Sequence, residues 1–303
     1  MFQSCEICGA DDWKFTYKGP VRAGAFGTEV KEGKVAVCGE CGVARLAEEL
    51  CFNAQSYETE AYRVAMDQGL SAEDFFLNAD PIQIHHLAAA WPLPLRGRVI
   101  ADIGCGGGSF IDHVAGLASK IIAIEPSTLY HDSLRKRGYE TFSYAADAVK
   151  ARPESVDFAV SFQVIEHVLN PREFLGEIVA LLKPGGSLLI ATPNREDILM
   201  KLLPEEFPSF FYRVVHRWYF DRASLRRCVE TVEAGVLKVE MERFLHTYGM
   251  SNALSWMKER RPAGNLRLPG IDGTADALWN SYLETSGQAD TLFILARKTG
   301  NMA

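Results

Sequence analysis

The run from Val99 to Phe110, Val-Ile-Ala-Asp-Ile-Gly-Cys-Gly-Gly-Gly-Ser-Phe, restricts the fold more than any other part of the chain. It begins as a short, largely β-branched apolar run and ends as the opening of an amphipathic pattern, so a buried strand must turn directly into a helix. Gly104, Gly106 and Gly108 fall in that turn, where the backbone has to bend tightly and approach a ligand closely. Apolar runs then alternate with helical patterns. Strands are expected at residues 99–103, 120–124, 141–144, 157–161 and 187–191, with two more near 237–244 and 291–296. This alternation is the signature of parallel βαβ units, and the expected class is α/β with helices on both faces of the sheet.

The N-terminal part has a different character. Cys5-x-x-Cys8 and Cys38-x-x-Cys41 are two tight knuckles flanking short alternating runs, and four thiolates in that arrangement suit one tetrahedral zinc. With all four positions filled, such a metal is structural rather than catalytic. Cys51, Cys105 and Cys228 lack a partner pattern and are expected to be packed side chains. From Ala44 to Trp91 the pattern is helical with no strand run, and Pro92 and Pro94 then punctuate the chain. Three parts are therefore expected: a zinc ribbon over 1–45, a helical bridge or lid over 46–95, and a catalytic domain over 96–303. An insertion at about 246–290 is expected to cover a substrate pocket.

Bulk properties narrow the partners. A net charge of −7 argues against a nucleic-acid-binding surface. The first residues carry no basic stretch followed by an apolar one, and no uncharged run reaches membrane-spanning length, so the expectation is a cytoplasmic protein without a membrane partner. The oligomeric state is not readable.

The motifs that follow the glycine turn point to a nucleotide-bearing cofactor. Glu125 ends the next apolar run, where a carboxylate can accept both hydroxyls of a ribose. A dinucleotide fingerprint would need a third glycine where Ser109 stands, which weakens a nicotinamide reading. Read as Asp102-x-Gly104-x-Gly106-x-Gly108, the loop resembles motif I of class I S-adenosylmethionine-dependent methyltransferases. Residues 161–168, with Glu166-His167 followed by Pro171, and the Leu182-Lys-Pro-Gly-Gly run are similar to the methyltransferase families of types 11, 12 and 23. The resemblance covers about residues 97–245 and implies a Rossmann-like seven-stranded sheet whose last strand is antiparallel. It also implies that Asp102 helps bind the cofactor's ammonium, that Asp147 bonds the adenine amino group, that Ala148 lies against the ring and that Gln163 borders the methionine end.

Methyl transfer needs alignment more than activation, with a base where the nucleophile must lose a proton. His167 and His216 are the candidates for that base, with Glu166 and Tyr219 behind them. His85 and His86 are adjacent on a helix and point in different directions, so at most one is expected to matter. The aromatic cluster from Phe207 to Phe220 fits either a wall over the substrate or plain core. A zinc ribbon ahead of such a domain resembles bacterial sugar and natural-product methyltransferases, which implies a small-molecule acceptor, including a nucleotide-linked sugar. An RNA methyltransferase is the alternative, carried by the basic run from Lys258 through Arg267. A non-catalytic cofactor-binding scaffold is a third reading.

Overall fold

The computed structural model describes residues 4–24, 30–53, 55–65, 70–232, 235–261 and 267–300. Three N-terminal strands, β1 (Trp13–Arg22), β2 (Val30–Cys38) and β3 (Ala44–Leu46), are followed by short helices at Gln55–Glu58, Ala61–Ala65, Ala72–Ala79 and Gln83–Ala90. The glycine turn then follows β4 (Val99–Ile103), and β5 (Lys120–Ile124), β6 (Glu140–Phe142), β7 (Val156–Phe162) and β8 (Leu182–Pro193) succeed it. A two-residue strand, β9 (Trp218–Tyr219), precedes β10 (Leu237–Leu245) and β11 (Thr291–Lys298).

The large sheet has seven strands in the order β10-β11-β8-β7-β4-β5-β6, with β11 antiparallel to both its neighbours. Successive side chains in a strand point to opposite faces, and the apolar residues sort accordingly. Ala101, Ile103, Ile122, Ile124, Leu188 and Ile190 face one cluster, where they meet Leu175 and Ile178 of the helix Pro171–Leu181 and Leu225 and Val229 of the helix Arg222–Glu230. Ile100, Ile121, Ala123, Val160 and Leu189 face the other cluster, with Phe110, Ile111 and Val114 of the helix Ser109–Val114. Both faces are covered, which is why these strands read as nearly continuous apolar runs.

The region expected to be helical from Ala44 onward opens instead with β3. Those three residues are buried because both edges are paired: Val35 opposes Leu46 and Val37 opposes Ala44, while Ala44 opposes Tyr219 and Arg45 opposes Trp218. The N-terminal sheet is thus four strands in the order β1-β2-β3-β9, and its last strand comes from far down the chain, after β8. β3 also crosses the boundary expected at residue 45. A run this short carries no period of its own, so tertiary pairing decides its conformation.

Packing follows the same connection. Cys5, Ile7, Cys38, Cys41 and Val43 belong to the hydrophobic cluster that covers one face of the seven-stranded sheet, joined through Trp218, Phe220 and Cys228. Trp218 is fully buried, its indole N–H donates to the Val168 carbonyl at 2.9 Å, and the Arg45 guanidinium lies 5.0 Å from its ring. Arg45, itself buried, is held by Glu6 at 3.0 Å and Glu48 at 2.6 Å, and Arg217 also pairs with Glu48.

Between β10 and β11 the chain forms the helices Met250–Glu259 and Gly273–Ser286; the Pro/Gly-rich stretch at 262–266 lies outside the described residues. Among the described residues no helix is long and apolar enough to cross a membrane. Trp218→Ala removes the side chain through which the small sheet and the large one share a core, and it is expected to lower the unfolding free energy by about 3–5 kcal/mol in a denaturant titration. A loss near zero would show that the two sheets are not energetically joined there.

Candidate active site

Two cavities lie along the C-terminal edge of the seven-stranded sheet, the edge where open α/β sheets take their ligands. The first, of about 570 Å³, is floored by the glycine turn, with Asp102, Gly104, Gly106, Glu125, Gln163 and His167 in its lining. The second, of about 520 Å³, lies beyond the ends of β8, β10 and β11, and is lined in part by Pro193, Leu245 and Thr291. Ile82, His86 and Gln163 line both and form the partition between them.

The glycine turn keeps the floor of the first cavity clear of side chains. Gly104, Gly106 and Gly108 all have positive φ, and Gly108 caps the helix Ser109–Val114 rather than lining the cavity. At Gly106, φ is +54° and a Cβ would lie 2.6 Å from the Phe75 ring. Glu125 is buried, and its carboxylate accepts the amide protons of Gly106 at 2.8 Å and Ser127 at 2.9 Å. A carboxylate offers about four acceptor positions, so two remain for a ligand's hydroxyls. Burial raises the Glu125 carboxyl above its usual range, and burial together with the Glu125 charge pushes Asp102 up to about 8. Two buried carboxyls beside one cavity favour a cationic ligand, whose charge would restore ionisation.

Helices between residues 55 and 90 roof this cavity with Tyr57, Tyr62, Arg63 and Phe75. None of these was a candidate from the sequence; the only signal for Tyr57, Tyr62 and Phe75 is aromatic residues recurring along the bridge, and Arg63 has none. The roof is tied to the floor where Ser109 Oγ donates to Asp80.

Asp147 and Ala148, to which the resemblance gave adenine contacts, are not among the residues lining the cavity. The chain enters the helix Ala145–Ala151 immediately after Tyr144; Ala148 is thereby buried in the core, and Asp147 pairs with Lys150 at 3.2 Å. Tyr144 lines the cavity in their stead.

Gln163 occupies the left-handed region at φ +58°, uncommon for a residue with a side chain. Its N–H donates to the Ala191 carbonyl at 2.9 Å, which fixes the strand end where the two cavities meet. Glu166 is fully buried, accepts the Thr192 hydroxyl at 3.0 Å, and is pushed up to about 8 by burial.

His167 and His216 come together across the partition. Their rings meet edge to face with centroids 4.8 Å apart; His167 lines the first cavity and His216 the second. His167 Nδ1 lies 2.6 Å from the Val215 carbonyl oxygen, an acceptor only, so that nitrogen carries the proton and Nε2 keeps a lone pair. Burial lowers His167 to about 4 and carries His216 well below its ordinary range, so both imidazoles are neutral near pH 7. Tyr219 is fully buried, its hydroxyl donating to the Arg213 carbonyl at 2.9 Å. His86 stacks on Phe162 with centroids 4.2 Å apart, and His85 lines only the second cavity.

Away from both cavities, Cys5, Cys8, Cys38 and Cys41 converge, with all four sulfurs within 4.8 Å of one another. Cys5 and Cys41 are 3.6 Å apart and Cys8 and Cys38 3.5 Å. Tetrahedral zinc with bonds of about 2.3 Å needs sulfurs about 3.8 Å apart, so the donor set and its dimensions fit that ion.

A seven-stranded sheet with one antiparallel strand, a glycine turn after β4 and an acidic residue at the end of β5 defines a Rossmann-like methyltransferase fold. The chain belongs to the methyltransferase domain family, which matches residues 76–238, and it carries an S-adenosylmethionine-dependent methyltransferase domain. It is similar to the mitochondrial ubiquinone biosynthesis O-methyltransferase of Homo sapiens, with 32% identity over 138 residues, 41% of this chain and 37% of the relative. With the ubiquinone biosynthesis O-methyltransferase of Rhodopseudomonas palustris the identity is 30% over 161 residues, 52% of this chain and 59% of that one. The chain thus spans less than two thirds of the length of these relatives. Among solved structures, a chain from the complex of the Haloferax volcanii Trm112 methyltransferase activator with a methyltransferase has a TM-score of 0.52 at 15% identity, covering 77% of this chain and 98% of that one. An S-adenosylmethionine-dependent methyltransferase of Thermotoga maritima has a TM-score of 0.50 at 23% identity, covering 75% and 94%. At those identities the likeness is one of fold.

Gly106→Arg is expected to abolish binding of S-adenosylmethionine in a calorimetric titration while the metal content at the cysteine cluster stays unchanged. Undiminished affinity would move the cofactor away from this loop.

Proposed function

We propose that the protein transfers the methyl group of S-adenosylmethionine, held in the first cavity, to a small-molecule acceptor held in the second. The observation that carries this reading is the shared partition: two cavities of similar size meet at His86 and Gln163, so two ligands can meet there. The cofactor supplies an already activated methyl group on a sulfonium; the protein's part is alignment and exclusion of water.

In this reading Asp102 receives the ammonium group, Glu125 the ribose hydroxyls, the backbone at Gly104 and Gly106 passes under the methionine moiety, and Gln163 borders the methyl. Its left-handed backbone holds that border in place, as strained residues do at sites that over-determine them. His216, neutral and facing the acceptor, takes the proton if the nucleophile is a hydroxyl, and His167 packs edge-on against it. Adenine contacts fall to the Tyr144 side of the cavity rather than to Asp147 and Ala148. Cys5, Cys8, Cys38 and Cys41 hold a structural zinc that cross-links the ends of the N-terminal sheet.

In the basic run behind the RNA reading, Lys258 pairs with Glu259 at 3.3 Å and Arg260 with Glu206 at 3.2 Å, which lessens its free positive charge. The relatives' names give an O-methyltransferase of ubiquinone biosynthesis, which accords with a small-molecule acceptor.

Tritiated methyl from S-adenosylmethionine, offered a low-molecular-mass cell extract and total RNA in parallel, is expected to appear in the small-molecule fraction; label in RNA alone would overturn the reading. With the labelled acceptor isolated, His216→Asn is expected to lower kcat by about a hundredfold, with affinity for S-adenosylhomocysteine unchanged. An unaltered kcat would remove His216 as proton acceptor.

A further inference from the structure

The second cavity receives a residue from the N-terminal sheet. Arg22 is the last residue of β1, and its backbone is locked to the segment after β8: its N–H donates to the Tyr212 carbonyl at 2.9 Å, and Val214 N–H donates to its carbonyl at 3.0 Å. That bridge sets Arg22 beside Arg213, and both side chains line the cavity. The Arg22 guanidinium carbon stands 4.2 Å from the centre of the Phe210 ring, and its Nε is buried with no hydrogen-bond partner.

A half-buried cation whose Nε is shut off from water ordinarily comes with an anion. Among the described residues no carboxylate pairs with Arg22, and the two acids in the same cavity are engaged elsewhere. Asp290 accepts the Thr247 amide at 2.8 Å and the Thr291 hydroxyl at 2.8 Å, with His246 at 3.6 Å. Asp197 caps the helix Ile198–Leu202 through the Leu199 amide at 2.8 Å. Burial, and next the charge of Arg213, weigh against the charged form of Arg22. An oxyanion beside Arg22 would offset that cost.

We infer that Arg22 and Arg213 form a two-guanidinium clamp for an oxyanion on the acceptor, a phosphoryl group or a carboxylate. Planar guanidinium forks match both geometrically and bind them in bidentate fashion. The zinc-bearing sheet is then a substrate-specificity element, because it delivers one half of the clamp. The inference rests on the reading of the second cavity as the acceptor site.

The test is calorimetric titration of the full chain, saturated with S-adenosylhomocysteine, with inorganic pyrophosphate, uridine diphosphate and benzoate. The wild type is expected to bind one class of probe at one equivalent, the phosphates or the carboxylate thereby naming the source. Arg22→Met is expected to weaken that binding about tenfold or more, and Arg22→Lys, which keeps the charge and loses the fork, to fall between. S-adenosylhomocysteine affinity and metal content serve as the check that each variant is folded, and both should match the wild type. Equal probe affinity in Arg22→Met, or no binding of any probe by the wild type at millimolar concentration, would overturn the clamp. The two failures are separable: a labelled small-molecule product that passes an anion exchanger unretained removes the clamp and leaves the methyl-transfer reading intact. Label confined to RNA removes that reading whatever the probes do.

Discussion

One carbonyl oxygen holds the parts of this molecule in register. Glu166 O accepts the backbone N–H of Arg217 at 2.8 Å and of Trp218 at 3.0 Å, tying the segment after β8 to the turn after β7. Everything beside that point follows from it. Trp218 and Tyr219 are presented as a strand edge to Ala44–Leu46, Arg217 reaches Glu48, and His216 is set against His167. A slip of one residue would exchange the faces of β9 and turn the indole out of the core. A main-chain contact thus decides whether the N-terminal sheet docks and whether the two cavities share a wall.

Each cavity is bordered by a pair of like-charged groups, beside Arg63 in the first and beside Asp197 and Asp290 in the second. Asp102 and Glu125 border the first, both with ionisation resisted by burial; Arg22 and Arg213 border the second. Between them stand the uncharged groups of the partition, His86 and Gln163, together with neutral His167 and His216. A cationic cofactor and an anionic acceptor would each find its own complement, and neither charge would sit at the point where the methyl group changes hands.

How much of this was legible in the sequence depends on the range of the interactions involved. Strands β4 to β8 were readable because helices cover both faces of the sheet, which makes each strand an apolar run bounded by polar turns. The four cysteines were readable because each knuckle is local. β3 was missed because Ala-Arg-Leu has no period, and it becomes a strand only through partners at Val35–Val37 and Trp218–Tyr219. Asp147 and Ala148 were placed by resemblance at the cavity; the helix Ala145–Ala151 buries Ala148 and leaves Asp147 next to the cavity-lining Tyr144, whose carbonyl accepts its N–H at 3.1 Å. Arg22 could not have been found at all: its neighbour Arg213 is brought to it by a bridge across most of the chain, and nothing in a lone arginine at a strand end announces that. Tyr57 and Tyr62 were visible as aromatic residues, but their role as a roof depends on how the short bridge helices fold back.

The core that runs from the cysteine cluster through Trp218 to the large sheet also bears on descent. A free-standing zinc ribbon joined by gene fusion to a ready-made methyltransferase would have brought together two finished surfaces. Here the two share one buried cluster, to which Ile7 and Val43 contribute from one side and Trp218 and Cys228 from the other. Recombination at the junction would expose both faces to water and separate Arg22 from the cavity it enters. A substitution along that seam would therefore be felt on both sides of it.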